Sequence, residues 1–280
     1  MNHSWPRLAA VASIPALFWL LSHATGQTMN LTQDPARQTA AVAVPKVAVP
    51  VVVELFTSEG CSSCPPADAL LARLEAQQPI PNAQVVALEE HVDYWNSQGW
   101  TDPFSNREWT LRQQDYASSL KNRNPYTPQV VIDGHTELVG SREGQARQAI
   151  EAAAAQPKAH LSLSVSASPK EGTPQAAVAI DGIAATQHGD KSEVWLAITE
   201  SGLHSAVNAG ENAGSDLHHA SVVRSLRKIA SIDENKTSYS GSTPVHLDSS
   251  WKRQNLRVVV FVQEKKSRQI VGAAAARIEP

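Results

Sequence analysis

The chain contains two cysteines, Cys61 and Cys64, separated by Ser62 and Ser63. A Cys-x-x-Cys spacing brings two sulfurs within bonding reach across one turn, which is what thiol–disulfide exchange requires. Cys61 is expected to attack a substrate sulfur as the thiolate, and Cys64 to resolve the mixed disulfide that results. A free cysteine titrates near ~8.5 and such motifs span about 3.5 to 7.5, each unit giving roughly 1.4 kcal/mol in favour of the anion. A purely structural staple is a poor use of this spacing, because closing a four-residue ring is worth about 2 kcal/mol, against ~3 for a fifteen-residue ring. Structural zinc needs four ligands and only one cysteine pair exists, so no metal is expected at the catalytic pair and no cofactor beside it. The alternatives are a binding module in which the two thiols, with a histidine, hold a soft ion such as Cu(I), and a non-catalytic interaction scaffold.

The elements around the pair are legible in the pattern. Val51 to Thr57 is a β-branched apolar run, read as a buried strand that leads straight into Ser58-Glu59-Gly60-Cys61. From Cys61 to Gln77 the period becomes helical, with Leu70, Leu71 and Leu74 on one stripe and Pro65 and Pro66 in the first turn, where a missing N–H matters little. That places Cys61 where helix N–H groups and the positive end of the helix dipole favour a thiolate. Gln84 to Val92 reads as a second buried strand. Asp102-Pro103 marks a helix start, with Trp109, Tyr116 and Leu120 on one face. Strands follow at Val130 to Ile132 and Thr136 to Val139, joined by an Asp133-Gly134 turn, and then a helix capped by Ser141. The order is β-α-β-α-β-β-α.

Beyond Pro157 the period is two: Leu161, Leu163 and Val165 alternate with serines. Further strands are expected at Ala176 to Ile180, Val194 to Thr199, Leu256 to Gln263 and Ile270 to Arg277, with a short helix over Ser221 to Ile229. Strands with little helix predict an antiparallel β-sandwich-like domain. At 280 residues the chain is long enough for two cores. The organisation read from the sequence is a signal peptide over 1–24, a linker over 25–49, an α/β domain over 50–156 and the β-sandwich-like domain over 158–280.

Two further groups of polar residues are candidates. His91, Asp93, Tyr94 and Trp95 leave the second strand at the sheet edge where α/β proteins bind ligands, and either line a groove or pack as aromatics around a hydrogen-bonded histidine. Gly210 to Gly214, followed by Asp216, His218 and His219, carries enough histidine and acid for a metal, but adjacent histidines seldom point to one ion, and a long loop is the simpler reading.

Export is expected. Arg7 precedes an apolar run from Leu8 to Leu21, then Ser22-His23-Ala24 offers small residues for cleavage. The run is shorter than the ~20 residues of a membrane span and Pro15 interrupts it, so no stable span is expected once the signal is removed. A periplasmic or secreted chain meets an oxidising compartment in which a disulfide persists. A formal net charge of −3 gives no electrostatic reason to expect nucleic acid.

The segments VELFTSEGCSSCPPADALL, HVDYWNSQGWTDPFSNREWTLRQQDYA, YTPQVVIDG and GENAGSDLHHASVVRSL resemble the uncharacterised secreted family known as domain of unknown function 1223, over roughly residues 50 to 280. The resemblance implies an α/β thioredoxin-like fold for the first domain, and with it a cis peptide at Thr127-Pro128 that presents backbone to an extended substrate chain beside the sulfurs. Many thioredoxin-like proteins also carry an acid on the strand before the motif; Glu54 is one residue out of register and by strand alternation can face the other way. Gly60 replaces the usual aromatic before the first cysteine, and Ser62-Ser63 the usual Gly-Pro. The expected function is exchange at protein thiols or disulfides, with a second redox protein recycling the pair.

Overall fold

The computed structural model describes residues 48–120, 124–166, 172–184 and 190–278. The expected signal peptide and residues 25–47 of the expected linker lie outside them. In chain order the elements are β1 (Val49–Thr57), α1 (Pro65–Gln77), β2 (Ala83–His91), α2 (Arg107–Ser119), β3 (Gln129–Ile132), β4 (Thr136–Val139) and α3 (Glu143–Ala154). There follow β5 (His160–Ser166), β6 (Gln175–Asp181), β7 (Ser192–Glu200), β8 (Leu203–Ala206), β9 (Asp216–His219), β10 (Val222–Ile232), β11 (Tyr239–Pro244), β12 (Leu256–Glu264) and β13 (Ile270–Arg277).

The β-α-β-α-β-β-α order through α3 stands, but the expected architecture does not. One mixed sheet of eight strands runs β13-β12-β7-β10-β2-β1-β3-β4, so strands from both sides of Pro157 share it. The join is β10 against β2, parallel, with Val222 opposite Glu89 and the Glu89 N–H donating to the Ser221 carbonyl at 2.9 Å. A thioredoxin-like domain followed by a separate β-sandwich-like domain is therefore overturned: β2 is not an edge, and the described residues form one compact unit. The strands beyond Pro157 extend the first sheet because β10 offers β2 the parallel partner it would otherwise lack on that side. Outside this sheet lie a three-stranded sheet, β11-β6-β5, and the β8–β9 hairpin.

Strand alternation assigns each side of the large sheet its cover. Val51, Val53, Leu55, Val85 and Ala87 meet Leu70, Leu71 and Leu74 of α1 and Ile150 of α3. Farther along, Val194, Leu196, Ile198, Val258 and Val260 meet Val165, Val178 and Ile180 of the small sheet. On the opposite side Val52, Val86, Leu88, Val223 and Phe261 pack with Trp109 of α2.

Three local expectations are corrected. Ser221 to Ile229 is not a helix but the body of β10: irregularities between Val223 and Ser225, and again between Lys228 and Ala230, shift the alternation and give Val222, Leu226 and Ile229 a spacing that mimics a helical face. Helix α2 starts later than Asp102-Pro103, with the Asn106 side chain accepting from the Glu108 N–H at 2.9 Å, because Asp102 is engaged elsewhere. Helix α3 begins after Arg142 without a side-chain cap, so Ser141 does not serve as one.

Candidate redox site and the buried carboxylate–histidine cluster

After β1 the chain turns through Ser58-Glu59-Gly60, with the Cys61 N–H donating to the Ser58 carbonyl at 3.1 Å. A side chain at Gly60 would press on Trp95, whose Cβ lies 3.1 Å from the position a Cβ would take, which is why no aromatic precedes the first cysteine. Cys61 and Cys64 are paired as a disulfide, their Cα atoms 5.5 Å apart. Helix α1 starts at Pro65 with Cys64 as its N-cap, so Cys61 precedes the helix and does not open it.

That shift changes the electrostatics expected from sequence. Pro65 and Pro66 lack N–H groups, and the next two, on Ala67 and Asp68, donate to the Cys64 carbonyl at 2.8 and 3.2 Å. No helix N–H of the first turn is left to face the Cys61 sulfur. Its polar neighbour is the Ser63 hydroxyl at 3.3 Å. Both cysteines are buried, Cys61 at 1% exposed and Cys64 at 0%, so the sulfur expected to attack a substrate is covered in this structure. The segment between β8 and β9 clips the turn shut. Asn212 Nδ2 donates to the carbonyls of Glu59 and Cys61 at 2.8 and 3.0 Å, and the Ser62 N–H donates to Glu211 Oε2 at 3.0 Å.

Thr127-Pro128 is a cis peptide. Pro128 and Ala67 of α1 both lie against Gly140, which puts the proline beside the helix that carries Cys64. The Thr127 hydroxyl accepts from Trp95 Nε1 at 2.8 Å, so one indole links this peptide to the turn before Cys61.

Glu54 lies on the side of the sheet away from α1. There Arg112 Nε donates to its Oε1 at 2.6 Å and the Tyr116 hydroxyl donates to its Oε2. The acid near the cysteines is Asp68, on α1 one turn past Cys64. Burial, then repulsion from Glu89, pushes its carboxyl up to about 7. Sequence reading missed Asp68; its signal was an acid at i+4 from a cysteine on the apolar stripe of a helix.

A chain of buried charges starts two residues before Cys61. Glu59 accepts from Trp100 Nε1 at 2.8 Å, and its Oε1 lies 3.1 Å from His219 Nε2. His219 Nδ1 lies 2.8 Å from Glu89 Oε1, while His91 Nδ1 lies 2.7 Å from Asp102 Oδ2. Burial works against charge on both imidazoles. For His91 the carboxylates of Asp102 and Glu89 outweigh it, holding the ring protonated well above the usual histidine range. For His219 the hydrogen bonds that its ring donates to Glu59 and Glu89 raise it to about 9. Burial would raise Glu89, but the two histidines keep it below the usual carboxylate range. Glu89, His91 and His219 each bring a donor atom to within 4.8 Å of the others.

The adjacent histidines part as strand alternation requires: His218 is exposed beside Asp216 at 3.3 Å, and His219 points inward. The residues after β2 are tied to α2 while Tyr94 stays exposed. Thr110 Oγ1 donates to Asp93 Oδ1 at 2.6 Å, and the Tyr94 hydroxyl donates to Gln113 Oε1 at 3.2 Å. Among the described residues no helix is long and apolar enough to cross a membrane.

The profile of a family described as a protein of unknown function, DUF1223, matches residues 52–263, and the chain belongs to that family. A structure of an Agrobacterium tumefaciens protein is 26% identical, covers 83% of this chain and 98% of its own, and superposes with a TM-score of 0.61. HBP35 of Porphyromonas gingivalis is 15% identical over 83% of this chain and 76% of its own, with a TM-score of 0.60, a likeness of fold alone. Among curated proteins none matches this chain.

Proposed function

Starting from a member of this family that carries a buried Cys-x-x-Cys pair, we propose that the chain is an exported thiol–disulfide oxidoreductase acting on protein thiols or disulfides. The observation that supports this reading best is the Cys61–Cys64 pair itself, seated between β1 and α1 with the cis Thr127-Pro128 peptide against the same helix.

In the direction of oxidation, a substrate thiolate attacks Cys61, the Cys61–Cys64 bond breaks, and Cys64 leaves as the thiolate. A second substrate thiolate then displaces Cys61, so the substrate gains a disulfide and the pair holds two thiols. The proton that the Cys64 thiolate takes up comes from Asp68, and the proton that the thiol gives back in the reverse direction returns there, an exchange that the affinity of Asp68 near neutrality suits. Attack needs the clip made by Glu211 and Asn212 to swing away from the turn. A periplasmic or secreted location and a recycling redox partner belong to the same reading.

The test is a trapping experiment. With a protein substrate that carries a disulfide, the lone Cys61 thiolate of Cys64→Ser attacks it, one substrate cysteine leaves as the thiolate and the mixed disulfide at Cys61 accumulates, whereas Cys61→Ser forms none and exchanges nothing. Exchange that continues in the variant with both cysteines replaced by serine would exclude the reading.

A further inference from the structure

We infer that Glu89, His91 and His219 form a binding site for one divalent transition-metal ion of the zinc class, separate from the cysteine pair. Once an incoming ion displaces the protons that His91 Nε2 and His219 Nδ1 carry, two imidazole nitrogens and one carboxylate oxygen make a donor set that suits such ions, and the fold presents each donor from a fixed direction.

Each histidine has one nitrogen held by a carboxylate outside the trio. Asp102 Oδ2 takes His91 Nδ1 at 2.7 Å, and Glu59 Oε1 takes His219 Nε2 at 3.1 Å. The other nitrogens, His91 Nε2 and His219 Nδ1, turn toward the same oxygen, Glu89 Oε1, at 3.5 and 2.8 Å. Carboxylate–histidine pairs of this kind orient imidazoles for a metal and fix which nitrogen binds. Glu89 is anchored likewise: its Oε2 accepts the Ala220 N–H at 2.9 Å, leaving Oε1 for the trio.

An independent observation points to a missing ligand. His91 is 0% exposed, and its Nε2 has no hydrogen-bond partner. The 3.5 Å to Glu89 Oε1 is too long for one. A buried ring nitrogen without a partner is rare in a folded protein and needs an explanation. Two donors on a tetrahedral ion at ~2.0–2.1 Å lie about 3.3 Å apart. The His91–Glu89 separation already meets that distance, and the His219–Glu89 separation reaches it if the ring moves back by roughly half an ångström. Phe104 walls the trio, its ring centroid 5.5 Å from both imidazoles. The ion would tie β2 to β9 at the junction where the two halves of the large sheet meet, a structural use.

The test uses the full chain with its disulfide formed, stripped by chelator and titrated with zinc chloride. The expected result is one equivalent bound, with a melting temperature that climbs with zinc concentration. Glu89→Gln and His219→Gln should each weaken binding at least about 100-fold with unchanged circular dichroism, and Asp102→Asn, a positioning residue, about 10- to 100-fold. Replacing both cysteines with serine, or His218 with glutamine, should leave the affinity unchanged. The inference is overturned if the wild type binds no zinc, if binding survives Glu89→Gln and His219→Gln, or if it disappears with the cysteines or with His218. Should the ligand variants not fold, X-ray absorption of the zinc-loaded wild type decides: nitrogen and oxygen neighbours at ~2.0–2.2 Å with an imidazole signature support the site, and sulfur at ~2.3 Å overturns it. Because the disulfide stays closed and the cysteine-free variant is included, failure here is distinguishable from failure of the proposed exchange activity.

Discussion

The Thr57 hydroxyl donates to Asp68 Oδ1 at 2.6 Å, tying the last residue of β1 to the helical turn that follows Cys64. Asp68 is thus fixed by the strand that leads into the cysteine turn and by the helix that leaves it. A buried acid held in this way has its proton affinity set by its surroundings, chiefly burial and then Glu89.

The sign of the resulting pH dependence follows from linkage. A carboxyl whose affinity rises on folding, here from 3.8 to about 7, stabilises the fold fully below pH ~4 and loses that contribution as pH rises through 7. Asp68→Asn imitates the protonated acid. Urea unfolding should therefore find the variant close to wild type at pH ~4 and below, and more stable at pH 8 by roughly 4 kcal/mol. Equal pH dependence in the two proteins would mean that Asp68 does not titrate in this window.

Asn212 holds two carbonyls of the cysteine turn at once. Asn212→Ala removes both bonds without touching either sulfur. Reduction of the disulfide by dithiothreitol, followed by thiol labelling, should run several-fold faster in the variant, because bonds near 1 kcal/mol each hold the clip closed. An unchanged rate would show that access to Cys61 is controlled elsewhere.

On the far side of the sheet, Arg112 is the cation among Glu54, Glu90 and Tyr116, lying 2.6 Å from Glu54 Oε1 and 3.5 Å from Glu90 Oε1. Burial, and then Glu54, drive Glu90 well above the usual carboxylate range. Arg112→Met takes the cation away from Glu54 and Glu90, a loss of about 3–5 kcal/mol in denaturant unfolding. Adding Glu54→Gln should recover part of it; a double variant no more stable than the single one would assign the loss to packing.

Legibility of the sequence followed the range of the interactions involved. Elements whose residues bury one regular face, such as β1, α1 and β2, were readable from periodicity, and the Asp133-Gly134 turn from its residue types. The parallel joining of β10 to β2 was not, because a pairing between Val222 and Glu89 leaves no local pattern. The irregular alternation of β10 compounded this by imitating a helix. At the site, Cys61, Cys64, Thr127 and Pro128 were found from spacing and resemblance. His219 was singled out with Asp216 and His218 as polar loop residues that could suit a metal, whereas Glu59, Asp68 and Glu89 were missed, because buried polar residues resemble surface ones until the fold supplies their partners.

The Asp133-Gly134 turn offers a test of its own. Both residues have positive φ, 47° and 67°, and a side chain at Gly134 would overlap the Arg268 carbonyl oxygen. Gly134→Ala should cost about 2–3 kcal/mol through backbone strain and that collision, read as a lower urea midpoint at unchanged slope. A neutral substitution would mean that the β3–β4 turn and the Arg268 loop can move apart freely.

The reduction potential of the Cys61–Cys64 couple, measured in the full chain against glutathione or dithiothreitol buffers, decides most directly whether this pair is a redox centre. A working exchange centre should equilibrate within the span of known oxidoreductases, between about −270 and −120 mV. A couple below about −300 mV, resistant to those buffers even when Asn212→Ala frees the turn, would identify the disulfide as structural.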